Sequence, residues 1–133
     1  MSPPTFVIGE SDDFVWFRMK QAFHGMGVLN DHVRARSSGE ALTRIRVEDG
    51  GFPVVVLNLS DSLDTLDTIR ADALLRPVVV ILLGTSDEAQ ILDAYQRGAN
   101  SYIIRPTDEG DWLGIFSQMI AYWTHTALLP QRA

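Results

Sequence analysis

The sequence predicts an α/β fold, a single doubly wound parallel sheet with helices on both faces and strand order 2-1-3-4-5. Three observations predict it. Short apolar runs alternate five times with amphipathic stretches of helical length, which implies right-handed strand–helix–strand crossovers. The central run, Phe52-Pro53-Val54-Val55-Val56-Leu57-Asn58-Leu59, is continuous, β-branched and too short for a buried helix, as in a strand covered on both faces. Capping and turn signals stand at most joins between the runs. In such a sheet, chemistry gathers just past the carboxyl ends of the strands. Asn58 stands at that end of the central strand.

The elements follow in order. Thr5-Phe6-Val7-Ile8 is a short buried strand ended by Gly9. Glu10-Ser11-Asp12-Asp13 follows, and Ser11 or Asp12 is expected to cap the next helix. Val15, Met19, Ala22, Phe23 and Met26 form one helical stripe, and Gly25 and Gly27 mark its end. A weak second strand lies near His32 to Ala35. Ser37 to Glu40 has the capping-box spacing and opens a helix carrying Ala41, Leu42 and Ile45, which stops at Gly50-Gly51. After the central strand, Leu63, Leu66 and Ile69 predict a helix within Ser60 to Asp72. Pro77 to Leu83 is the fourth strand. Gly84 leads into a second capping box, Thr85 to Glu88, and a helix with Ile91, Ala94 and Tyr95 on one face, stopped at Gly98. Ser101-Tyr102-Ile103-Ile104 is the fifth strand, closed by Arg105-Pro106. The last helix runs from about Asp108, with Trp112, Ile115, Phe116, Met119 and Trp123 on one stripe. The arrangement is flavodoxin-like, and it brings together Gly9 and Glu10, Asn58, and Leu83 with Gly84.

Composition bounds the function. A chain of 133 residues, 46% apolar and 21% charged, fits one soluble globular domain, with a core from about 5 to 124 and a tail from 125 to 133. With no cysteine, disulfides, thiolate metal sites and cysteine nucleophiles are excluded. A net charge of −6 with no basic cluster argues against nucleic acid. No apolar run reaches the roughly 20 residues of a membrane span, and the start of the chain lacks a secretory pattern. A cytoplasmic location is expected. His24, His32 and His125 are scattered and read as surface or helix-end residues.

From Thr85 to Pro106 the sequence resembles the fourth helix and fifth strand of the receiver domains of bacterial response regulators, the CheY-like family. Ile69-Arg70-Ala71-Asp72 before Pro77 matches as well, and the resemblance extends over essentially the whole chain. Ala121-Tyr122-Trp123 followed by Leu128-Leu129-Pro130 is similar to single-domain regulators that partner phytochrome-type histidine kinases. In that family a strand-3 aspartate accepts a phosphoryl group from a kinase histidine, and two acidic residues after strand 1 hold Mg²⁺. A Ser or Thr after strand 4 and a Lys after strand 5 bind the phosphoryl oxygens. Such a transfer needs an in-line nucleophile and a metal and cation to stabilise charge.

This chain departs at those positions. Asn58 replaces the acceptor, and its neutral amide cannot form an acyl phosphate. The acidic pair is Gly9 and Glu10, the hydroxyl position is Leu83, and the lysine position is Arg105. The loop after Asn58 is short. The resemblance therefore implies a degenerate, phosphorylation-independent pseudo-receiver that is no enzyme, needs no cofactor, Mg²⁺ included, and acts by protein–protein contact. Two other readings stay open: an active regulator using Asp61 or Asp12 as a substitute carboxylate, and a small-molecule or metal sensor in the strand-end crevice.

Individual residues carry two readings each. Asn58 is a strand-end amide bonded to loop backbone, or, locked with Arg105 and Glu10, a fixed mimic of one signalling state; both can hold. Glu10, Asp12, Asp13 and Asp61 are a capping and solvated acidic loop, or a residual cation site. Tyr102 stands where the family has its switch aromatic. With Leu83 in place of the hydroxyl, it is expected to pack at the edge of the fifth strand without that coupling. The resemblance also implies a cis bond at Arg105-Pro106, aiming Arg105 at Asn58. Tyr95, Tyr102, Tyr122 and Trp123 either complete a monomer core or form a homodimer interface through helix 4, strand 5, helix 5 or the tail. A histidine kinase or another regulator is the other expected partner.

Overall fold

The computed structural model describes residues 4–27, 32–47 and 51–130. Five strands, β1 (Phe6–Gly9), β2 (His32–Ala35), β3 (Val54–Asn58), β4 (Val79–Gly84) and β5 (Ser101–Ile104), form one parallel sheet in the order β2-β1-β3-β4-β5. The helices are α1 (Asp13–Met26), α2 (Ser38–Val47), α3 (Leu63–Ala71), α4 (Glu88–Gln96) and α5 (Asp111–Ala121). This is a doubly wound (βα)5 fold in the strand order that the alternation of runs predicts. The expected stop of α2 at Gly50 lies outside the described residues.

Strand alternation sorts the core into two halves. Phe6, Ile8, Val54, Val56, Ile81 and Leu83 pack against Met19 and Phe23 of α1 and Phe116 and Ile120 of α5. Val7, Val55, Leu57, Val80 and Leu82 pack against Ile45, Leu66, Ile69 and Ala94 on the other three helices. Both faces of β3 are thus covered, which is why its sequence shows no polar alternation. Each such aliphatic side chain contributes about 1.5–3 kcal/mol on burial.

The caps differ from the sequence expectation in detail. Asp12, not Ser11, caps α1, accepting from the N–H groups of Phe14 (2.8 Å) and Val15 (3.1 Å). The helix passes through Gly25, and Gly27 ends it at φ 61°, a left-handed turn that glycine adopts without strain. Ser37 Oγ accepts from Glu40 N at 3.1 Å, but Glu40 Oε2 reaches Arg36 N (3.2 Å) rather than closing the box on Ser37. Asp87 caps α4, accepting from Gln90 N at 3.1 Å. Thr85, expected at that cap, instead donates its hydroxyl to Gln90 Oε1 at 2.6 Å. The α5 helix starts three residues later than expected. Its stripe includes Ile120, which is fully buried, while Ile115 is only half-buried. A single π-helical turn, Tyr122–Thr126, follows. His32 is no surface residue: it is half-buried and stacks on Phe23 at 4.3 Å.

Arg70, at the end of α3, joins three elements. Its guanidinium donates to Gly98 O (2.8 Å), Arg76 O (2.8 Å), Val78 O (2.7 Å) and Asn100 Oδ1 (2.7 Å). Asn100 Oδ1 also accepts from Val80 N at 2.8 Å, so one amide oxygen ties α3 to the start of β4. Gly98 has φ 107° and its α-carbon faces the Arg70 stem, where an added Cβ would lie 3.0 Å from Cγ. The helix stop is therefore also a packing requirement.

Candidate functional site

The carboxyl ends of β1, β3 and β4 open onto a crevice of about 590 Å³, walled by Leu59, Leu63, Leu83 and Gly84 and by polar groups of Glu10, Asp12, Asn58, Gln90, Asp93 and Arg105. Alternation along the strands decides what meets there. Glu10, Asn58 and Arg105 continue the parity of Ile8, Val56 and Ile103, so they emerge on the side of α1 and α5. Tyr102 and Gly84 continue the parity of Leu82 and lie on the other side.

Asn58 is held at both ends of its amide. Its Nδ2 donates to Gly9 O at 3.3 Å, and its Oδ1 accepts from Arg105 Nη1. The partners fix which end is oxygen, since the carbonyl can only accept and the guanidinium can only donate. Arg105 Nη1 also meets Glu10 Oε1 at 3.3 Å, and its guanidinium lies 5.1 Å over the Trp112 ring. Glu10 is 2% exposed. Its second carboxylate oxygen accepts from Asp12 N at 3.1 Å, and its backbone carbonyl accepts from Arg34 Nε at 2.9 Å. A buried carboxylate persists only with such partners. The expected network of Asn58, Arg105 and Glu10 is therefore present in the geometry.

Arg105 reaches Asn58 without the cis bond that the resemblance implied. No peptide bond among the described residues is cis. Arg105 N donates to Gly84 O at 2.8 Å, which carries the β4–β5 ladder one residue past the strand and aims the long side chain across β4. Trans is the form of lower energy for an X-Pro bond.

Gly9 does more than omit a carboxylate. A Cβ there would lie 3.0 Å from Leu57 Cδ2, so the close approach of β1 and β3 uses the missing side chain. Leu83 pairs with Asn58 in the β3–β4 register and is 1% exposed, an apolar wall with no donor.

The other acidic residues do not gather. Asp61 lies outside the crevice lining and caps α2 from a distance, accepting from Ser38 N (3.1 Å) and Ser38 Oγ (2.9 Å). Asp13 pairs with Arg34 (2.8 Å) and Arg36 (3.2 Å), and these cations hold its carboxyl below the ordinary range. Asp12 spends one oxygen on the helix cap. Among the described residues no group of three or more His, Cys, Asp or Glu side chains could hold a metal ion. The donor set does not fit Mg²⁺: Gly9 offers no side chain, Glu10 and Asn58 are engaged by Arg105, and hard cations want several free oxygens.

Tyr102 packs from the fifth strand onto the sheet face opposite Leu83, and its Oη donates to Thr85 O at 2.8 Å. Its backbone N–H donates to Tyr95 Oη at 3.0 Å. Tyr95 and Tyr122 are about half exposed, whereas Trp123 packs against the α1/α5 core and meets the Tyr122 ring edge-on at 4.9 Å. Leu92, one turn before Tyr95 on α4, and Ile104 on β5 are exposed apolar residues as well.

Nothing local in the sequence marks the Asp61–Ser38 and Arg70–Asn100 pairs, whose partners lie 23 and 30 residues apart.

No family profile matches the chain. Among solved structures it is similar to the phosphorylated cyanobacterial phytochrome response regulator RcpA, with 24% identity, a TM-score of 0.86, and 97% of this chain and 99% of that one covered. It is similar to a response regulator of red-light signalling in R. palustris (24% identity, TM-score 0.83, 96% and 98% covered). A response regulator receiver domain from Rhodospirillum rubrum gives 21% identity, a TM-score of 0.84, and coverage of 97% and 99%. No helix among the described residues is long and apolar enough to cross a membrane.

Proposed function

We propose that this chain is a receiver-like domain of two-component signalling that takes no phosphoryl group and works by binding other proteins, itself included. The kinship of its fold with response regulators supports the signalling context. One observation carries the rest: the acceptor position is an amide, Asn58, already bonded to the cation and the backbone that surround it. Glu10 is consumed by the same arginine, and Leu83 supplies no donor. The pocket is complete without phosphate. It is no enzyme, requires no cofactor and belongs in the cytoplasm beside a kinase or another regulator.

The test is intact-mass and peptide mapping after incubation with a small phosphodonor and Mg²⁺. The expected result is no acyl phosphate on the wild type. A phosphorylated peptide holding Asp12 would overturn the reading in favour of a substitute carboxylate. Asp61 is the poorer substitute, since both of its oxygens serve Ser38.

Self-association is assigned to the α4–β5–α5 face and the aromatic turn after it. Tyr95 and Tyr122 present large, half-exposed rings there, the side-chain type that most often dominates an interface. Light scattering over a concentration series is expected to show a dimer. Tyr95→Ala or Tyr122→Ala should each weaken it about tenfold, or about 1.4 kcal/mol. A dimer unmoved by both changes would place the interface elsewhere.

A further inference from the structure

We infer that Gly84 is the positioning residue of the α4–β5 surface, because its missing side chain is what lets Tyr102 lie inward. The inference rests on the proposed function only for what that surface is used for.

Gly84 is the last residue of β4 and pairs with Ile104, two residues beyond the Leu82–Tyr102 pair. Tyr102 is thus its diagonal neighbour on the same face of the sheet, within reach of an aromatic ring. A Cβ built on Gly84 would overlap the Tyr102 hydroxyl and lie 2.8 Å from Cζ and 3.0 Å from Leu59 Cδ2. Backbone freedom is not the reason for this glycine. Among the described residues only Gly27 and Gly98 have positive φ, so alanine fits the Gly84 backbone without strain. The space above it is the constraint.

From Gly84 the contacts run outward. The Tyr102 hydroxyl holds Thr85 O, the first carbonyl of the β4–α4 loop (2.8 Å), and Tyr102 N holds the Tyr95 hydroxyl (3.0 Å). Tyr95 is 46% exposed, one turn after exposed Leu92 on α4, and Ile104 on β5 is exposed too. One methyl group at position 84 displaces the Tyr102 ring, frees Thr85 O and removes the anchor that orients Tyr95. No hydroxyl at position 83 is needed for this, and none is present. The surface is held in one form by packing alone.

Fluorine NMR of protein carrying 3-fluorotyrosine tests the inference, since the chain has only three tyrosines. Single Tyr→Phe variants assign the signals. In Gly84→Ala the signals of Tyr102 and Tyr95 are expected to shift by more than their linewidths while Tyr122 stays in place. A Tyr102 signal that does not move, or a Tyr95 signal that stays while Tyr102 moves, overturns the inference. Thermal unfolding of Gly84→Ala, Tyr102→Ala and the double variant guards against a folding artefact. Gly84→Ala should lower Tm clearly more in the wild-type background than in the Tyr102→Ala background, where only the Leu59 contact remains; an equal loss in both overturns the inference as well. A wild type that remains monomeric throughout would sink the self-association reading alone, and the fluorine signals would still decide the role of Gly84.

Discussion

Arg105→Ala is expected to lower stability by about 3 kcal/mol, or about 10 °C in Tm for a domain of this size. The loss comes less from the contacts removed than from what is left. Glu10 is 2% exposed, and without the guanidinium its remaining side-chain contact is the N–H of Asp12. Asn58 Oδ1 loses its donor at the same time, and Trp112 loses the cation over its ring. The figure sits at the lower end of the range for a broken buried pair because the Arg105 side chain is 32% exposed and water can enter. Urea unfolding of Arg105→Ala, of Glu10→Gln and of the double variant measures it. The double variant should be less destabilised than the sum of the two single changes, since it leaves no orphaned charge. Strict additivity would mean that the pair is screened by solvent and that the pocket is not closed.

Arg70→Ala is expected to cost about 3 kcal/mol, by a different route: four hydrogen bonds from one cation, each worth more than a neutral bond. Burial pulls the guanidinium down from its ordinary pKa, yet arginine remains charged across the working range. The carbonyls of Gly98, Arg76 and Val78 belong to the turns entering β4 and β5, so the loss should appear first there. Hydrogen exchange should show faster opening of Val80 N and Asn100 N than of the amides of β1 and β3. Arg70→Lys should recover little, because a single ammonium cannot reproduce the planar fork. A loss below 1 kcal/mol would show that the turns hold without the clamp.

The fold was legible because both of its periodicities are strong. Val54 to Leu57 has no polar alternation because both of its faces are covered, and Val15, Met19, Ala22 and Phe23 repeat with the helical turn and are buried. Cap positions were legible only to within two residues, since Thr85 and Asp87, or Ser11 and Asp12, offer the same oxygen to the same turn. Gly9, Glu10, Asn58 and Leu83 follow from the strand order and Arg105 from the family resemblance, and the structure brings the five together. The bond from Tyr102 to Thr85 O was not legible, because a backbone carbonyl has no signature in a sequence. Asp61 looked like a pocket carboxylate because nothing in the chain announces that Ser38 will take it.

In the proposed reading, the closed circuit of Arg105, Asn58 and Glu10 leaves this domain without a memory. A covalent mark outlasts the event that wrote it and decays on a clock of its own. A surface that is always formed has no such interval. Its output is set at each moment by how much protein is present against the dissociation constant of its complexes, and it fades as fast as those complexes come apart. Any timing in the response must then reside in synthesis, degradation or the partner.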